Sequence, residues 1–185
     1  MMIDILLVIE KLKSGNVVAV MTDIGIEFIC DATNDKTVKL LQKNFPSKEP
    51  IHSIFVLNIN HLTKYVFEIP ELAEQLFELS TKPISLRLPN VQNIANAAIS
   101  ETKRAPFRIT SVHSINGILR KYRNPLFAIP LIYKDKKVAT QKDLFASISE
   151  KINFTDWVEN DIKPTGVLPS LMDLDVNGEI LIIRE

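Results

Sequence analysis

Short apolar runs alternate with helical stripes along most of the chain. Ile3, Leu6, Leu7 and Leu12 fall on one side of a helix, and Ser14-Gly15-Asn16 stops it with residues that tolerate a left-handed backbone. Val17 to Met21 and Ile26 to Cys30 are compact runs that predict two buried strands around the polar turn at Thr22, Asp23 and Gly25. Thr33 or Asn34 is placed to cap a helix with core positions Val38, Leu41 and Phe45, ended by Pro46. Beyond a proline-flanked loop, Ser53 to Asn58 predicts a third strand and Asn60 a capped helical turn. Pro70 then opens a helix whose stripe is Leu72, Leu76 and Leu79.

The second half continues in the same way. Ile84 to Leu88 alternates like a strand with one wet face, a helical turn is expected near Ala97, and Pro106 to Thr110 predicts another strand. Ser111 is placed to cap a helix over Val112 to Tyr122. Leu126 to Tyr133 reads as a core strand but contains Pro130, which removes a ladder donor and predicts an edge strand or a break. Leu144, Phe145 and Ile148 suggest a helix and Phe154 to Val158 a strand. Leu171 to Asp175 and Glu179 to Arg184 predict a hairpin across Val176-Asn177-Gly178. Strands and helices interleaved in this way indicate an α/β or α+β fold with a mixed sheet.

Composition narrows the class. With 185 residues, 46% of them hydrophobic, the chain is expected to form one domain, residues 1–185, around one sizeable core. One cysteine, Cys30, and the scattered His52, His61 and His113 exclude a disulfide framework and a four-ligand zinc module, so no metal is expected. Cys30, inside an apolar run, reads as a buried structural thiol. Asp4 and Glu10 interrupt the apolar N-terminal stretch, and no run reaches the ~20 apolar residues of a membrane span. The expectation is a cytoplasmic protein with no membrane partner.

Charge adds a feature that the net value of zero conceals. Residues 1–102 carry 9 basic and 12 acidic groups, residues 103–137 carry 9 basic groups against Asp135 alone, and residues 138–185 carry 4 against 9. If the nine side chains of the middle block share one face, they form a surface for a polyanion such as RNA or a nucleotide. If the two strands and helix of that block disperse them, they are ordinary solvated charges. Trp157 and Tyr133 could stack on bases beside the block, or sit in the core or at its rim.

The run Leu12-Lys13-Ser14-Gly15-Asn16-Val17-Val18-Ala19-Val20-Met21-Thr22-Asp23, followed by Cys30-Asp31-Ala32-Thr33-Asn34, resembles the opening of the YrdC/YciO family. The likeness continues through Lys82-Pro83-Ile84-Ser85, Phe107-Arg108-Ile109, Pro169-Ser170 and Ile182-Ile183-Arg184. It implies a single YrdC-like domain, a twisted mixed sheet flanked by helices around a concave, positively charged surface that binds nucleotide and double-stranded RNA. It also implies threonylcarbamoyl-AMP synthase chemistry, in which threonine, bicarbonate and ATP are joined in tRNA modification.

The departures from the family pattern fall on that chemistry. The resemblance places Phe45 and Ser47 where the family has a Lys and an Arg, and Pro130 and Ile132 where it has a Ser and an Asn. Ile24 and Ile26 replace a Thr and a Tyr, and Glu27 replaces a glycine. Phosphoryl and adenylyl transfer depends on cations and donors aimed at developing negative charge, and these side chains supply none. The nucleotide- or RNA-binding candidates that remain are Thr22, Lys48, Ser85, Arg108, Arg120, Arg123 and Ser170, with no residue assigned to catalysis. Lys48 could re-enter the site if its loop is re-registered. Arg108 is either an anion contact or a surface arginine paired with an acid.

Three readings follow. The first is a YrdC-like nucleotide- or RNA-binding protein that has lost synthase activity, with ATP a possible ligand. The second is an active synthase with relocated residues. The third is an interaction scaffold, with a protein partner or a second copy of itself, whose filled pocket only stabilises the fold.

Overall fold

The computed structural model of the chain describes residues 5–47, 50–133, 137–140, 157–158 and 162–185. Helix α1 (Ile5–Lys13) buries Val8, Ile9 and Leu12 and ends where Gly15 takes φ +74°. Strands β1 (Val18–Met21) and β2 (Ile26–Asp31) are buried along their whole length, as unbroken apolar runs require. Asn34 caps α2 (Asp35–Asn44), its side-chain oxygen accepting the Thr37 N–H.

Strand β3 (Ser53–Phe55) is shorter than expected, because Asn58 leaves the strand to cap α3 (Ile59–Leu62). The cap is therefore Asn58 and not Asn60. Helix α4 (Glu71–Leu79) follows Pro70 and buries Ala73, with Leu72 and Leu76 half-buried. Leu79, expected in its apolar stripe, closes the helix and is 80% exposed.

After β4 (Ile84–Leu88), a 3₁₀ turn at Asn96–Ala98 and β5 (Ala105–Arg108) comes α5 (His113–Tyr122). Val112 occupies the N-cap of α5 without a side-chain bond, so Ser111 does not play that part; Thr110 instead accepts the Val112 N–H. The remaining strands are β6 (Leu126–Pro130), β7 (Ile132–Tyr133), β8 (Lys137–Val138), β9 (Trp157–Val158), β10 (Ser170–Leu174) and β11 (Ile180–Arg184). The helix expected around Leu144, Phe145 and Ile148, and the first part of the strand expected from Phe154, lie outside the described residues.

One mixed sheet runs β11-β10-β4-β5-β3-β6-β2-β1-β9, while β7 and β8 pair separately. This corrects one of the two readings of Pro130. Its strand is central, hydrogen-bonded on both sides, but breaks there: Pro130 is the last residue of β6, opposite Glu27 of β2. Beyond it, Leu131 donates to the Ile26 carbonyl and the Ile26 N–H donates to Ala139.

Alternation along the strands sorts residues between two apolar layers. Phe28, Cys30, Ile54, Leu86, Phe107 and Phe127 face one core with Val38 and Leu41 of α2. Val18, Val20, Ile29, Phe55 and Leu126 face the other, closed by α1 and α5. Strand β11 is outermost, with Ile180, Leu181, Ile182 and Ile183 all exposed. Among the described residues no helix is long and apolar enough to cross a membrane.

Two contacts set measurable limits on this packing. Gly25 has φ +142°, and a Cβ there would lie 2.5 Å from the Ala139 carbonyl oxygen. Gly25→Ala is expected to cost about 1–3 kcal/mol in urea unfolding, through backbone strain and the displaced β8 segment. His52 stacks on Phe127, and its Nε2 is buried without a partner. Burial holds its pKa at about 4, against an opposing hydrogen bond to the Ala98 backbone. The unfolded chain thus binds this proton first, so stability falls as pH drops from about 6.5 through about 4, by roughly 3 kcal/mol. His52→Phe should flatten that part of the pH–stability curve.

Candidate functional site

The second face of the sheet changes character beyond the helices. Near α1 and α5 it is apolar, but across β3, β5, β4 and β10 the same alternation presents Ser53, Arg108, Ser85, Arg87 and Asp173. The Ser53 and Ser85 hydroxyls lie 2.8 Å apart, both buried. Asp173 is gripped from two sides, by Arg87 of the neighbouring strand and by Arg104 at 2.5 Å, and Arg104 also reaches Asp175 at 3.1 Å. Burial pushes the Asp173 carboxyl up, but the two guanidinium groups outweigh it and hold it below its ordinary value.

Arg108 lies at the centre of this region and is wholly inaccessible to solvent. Its guanidinium lies 4.9 Å above the Phe55 ring, donates to Glu27 at 3.0 Å and pairs with Asp23 in the β1–β2 turn. The same Glu27 oxygen is 2.6 Å from the Thr22 hydroxyl, and Thr110 contacts the other Asp23 oxygen at 3.3 Å. Burial raises the Glu27 carboxyl above the usual range, against the lowering pull of Arg108 and Thr22. Arg108, Arg87 and Arg104 thus face Asp23, Glu27, Asp173 and Asp175: three cations against four acids, each guanidinium reaching at least one carboxylate, although the buried Nε atoms of Arg87 and Arg108 have no partner. Among the described residues named on this face, no cation lacks a carboxylate partner. Among the described residues no group of three or more His, Cys, Asp or Glu could hold a metal.

A family model named Sua5/yciO/yrdC and described as "Telomere recombination" matches residues 10–185. The chain belongs to the Sua5/YciO/YrdC family. No curated protein matches it. E. coli YciO superposes with a TM-score of 0.81 at 14% identity, over 98% of this chain and 88% of that one. P. abyssi Sua5 complexed with L-threonine gives 0.80 at 19% identity, over 92% of this chain and 50% of that one. Full-length HypF in a phosphate- and nucleotide-bound form gives 0.78 at 15%, over 99% of this chain and 29% of that one. The chain therefore spans about half of Sua5 and less than a third of HypF.

Within this Sua5/YciO/YrdC-type sheet, the residues expected to act together are separated. Thr22 is buried in the Glu27 network, and Ser85 is spent on Ser53. Arg108 is paired with acids, as one of its two expected readings had it, but it is buried and not at the surface, on an inward-facing position of β5 with Glu27 and Asp23 beside it. Ser170 begins β10, its backbone N–H donating to Pro83. Arg120 and Arg123 are exposed at the C-terminal end of α5 beside α3. Among its described residues the basic middle block is dispersed: Arg104 and Arg108 are tied to acids, Lys137 lies in β8, and Arg120 and Arg123 are at the end of α5. Lys48, Lys134 and Lys136 are outside the described residues.

Phe45 closes α2 and stacks on Phe28 with ring centroids 4.7 Å apart, so it belongs to the first core. Ser47 is exposed just beyond it. Ile24 and Ile26 have no exposed surface, Pro130 is buried opposite Glu27, and Ile132 is half-buried against β8. Glu27, which stands where the family has a glycine, is answered by Arg108 from across the sheet. The opposite charges on inward positions of two central strands were the available signal.

Removing Arg108 would leave Glu27 and Asp23 without their cation. Arg108→Ala is expected to lower stability by about 3–5 kcal/mol in urea titration, while Arg108→Met combined with Glu27→Leu should recover most of it. A loss below about 1 kcal/mol for the single variant would show that the network does not hold this face together.

Proposed function

We propose that this protein is a Sua5/YciO/YrdC-family member that binds double-stranded RNA or nucleotide without threonylcarbamoyl-AMP synthase turnover. The observation that carries the reading is the internal neutralisation of Arg108 by Glu27 and Asp23. A cation already matched by the buried Glu27 and the half-buried Asp23 gains little by approaching phosphate, and Glu27 blocks that approach by occupying the guanidinium. Phe45, Pro130 and Ile132, at positions the family fills with a Lys, a Ser and an Asn, support the same conclusion. Support for a binding role comes from solved relatives of the same fold that hold nucleotide, phosphate or L-threonine. The protein is proposed to work in solution with RNA as its partner.

Purified protein given ATP, threonine and bicarbonate should release no pyrophosphate above background. Threonine-dependent release that Lys48→Ala abolishes would establish instead an active synthase with a relocated lysine. Glu27→Gly tests the blocking acid directly: ATP affinity measured by calorimetry should rise in this variant, without turnover.

A further inference from the structure

Opposite the Glu27–Pro130 pair, at the Asp31–Leu126 end of strands β2 and β6, three helices bring their charged ends together. Helices α1 and α5 finish there, each just before the strand it feeds, and α2 starts just after Asp31. The buried Asp31 carboxylate ties the end of α5 to the turn that starts α2. One oxygen accepts from the Thr33 backbone at 2.7 Å, the other from the Tyr122 hydroxyl at 2.5 Å and the Asn124 amide at 2.9 Å. This junction separates two grooves. The first, of about 510 Å³, is lined by Lys13 of α1 and by Lys36, Lys39 and Lys43 of α2. The second, of about 240 Å³, is lined by Lys64, Arg120 and Arg123.

The charge here is uncompensated, unlike that around Arg108. Lys39 pairs with Asp35, but Lys13, Lys36, Lys43, Lys64, Arg120 and Arg123 make no ion pair among the described residues. The neutral groups beside them also present donors. Asn34 and Asn58 spend their side-chain oxygens capping α2 and α3, which leaves amide N–H groups at the grooves. His61 accepts the Leu57 N–H at Nδ1, so its Nε2–H points to the Arg123 carbonyl, and burial lowers its pKa and keeps it neutral.

Cations and donors around a rigid junction fit an anion with many regularly spaced charges. Neither groove contains Phe, Tyr or Trp in its described lining, so the stacking surface that single strands require is absent there. We infer that this end of the protein docks the phosphate backbone of double-stranded RNA, one groove on each side of the Asp31 junction, without reading base sequence. The inference rests on the RNA-binding reading above and moves the contact from the sheet face to the helix ends.

The test is fluorescence anisotropy with two unrelated RNA duplexes of about 16 base pairs. Salt is varied between about 50 and 200 mM. Lys36→Glu with Lys43→Glu, and separately Lys64→Glu with Arg120→Glu, should each weaken both duplexes at least about tenfold and flatten the salt slope by about 2. Lys137→Glu, in β8 beside the Ile26 end of β2 and away from the Asp31 end, should change affinity less than about twofold. Unchanged melting temperatures would keep the comparison on binding, since all five side chains are exposed. Wild-type binding that neither pair disturbs would overturn this inference and leave the RNA-binding reading standing. Wild-type protein that binds no duplex would overturn both. Capture of polyglutamate in place of RNA would overturn it in favour of an acidic protein partner.

Discussion

A guanidinium with no access to water has to be neutralised from within, and Arg108 imposes that condition on the centre of this fold. Its partners come from two places, Glu27 inside β2 and Asp23 in the turn before it, while Phe55 of the adjacent strand supplies the surface on which it lies. β5, β3 and the β1–β2 hairpin are therefore fixed relative to one another by charge as well as by apolar burial. A one-residue slip of β2 would carry Glu27 into the first core, beside Phe127, turn Phe28 out of it, and leave Arg108 unmatched. The network costs desolvation energy that an apolar cluster would avoid, and in return it admits few alternative registers.

Much of the fold was legible in the sequence where local rules act alone. Asn34 caps α2, β4 runs over Ile84–Leu88 as its alternation indicates, and the hairpin of β10 and β11 turns where Asn177-Gly178 suggests. What could not be read were features that depend on distant strands. Pro130 looks like an edge residue because it lacks a donor, yet a central strand tolerates it at its last position, where Leu131 resumes the hydrogen bonding to β2. Arg108 looks like a ligand contact, because nothing local to Phe107 and Ile109 reveals that Glu27 lies across the sheet. The lysines of α2 were hidden differently. Their spacing of three and four residues puts Lys36, Lys39 and Lys43 in one stripe, but the acidic balance of residues 1–102 obscured it.

The molecule thus holds two charge systems with opposite behaviour. Around Arg108 the cations and acids are paired with one another, from the buried Arg108 and Glu27 outward to the half-exposed Asp175. At the Asp31 end the single buried acid is satisfied by neutral donors, Tyr122, Asn124 and Thr33, and the surrounding lysines and arginines are left to solvent. The difference arises from which acids the fold brings within reach: four for the three arginines around Arg108, and Asp35 alone as an ion-pair partner for the seven basic side chains lining the two grooves. Charge counted along a chain therefore says little about function until the strands have assigned each cation a partner or left it without one.

The position of the C-terminal hairpin has a kinetic side. β10 joins the sheet by pairing parallel with β4, Ser170 against Ile84, so a large part of the chain must be organised before this edge can close. Until then the hairpin has two open edges, β10 as well as β11, and Ile180 to Ile183 form an unguarded apolar strand. The order of assembly thus leaves the stretch most prone to pairing with other chains among the last to find its place.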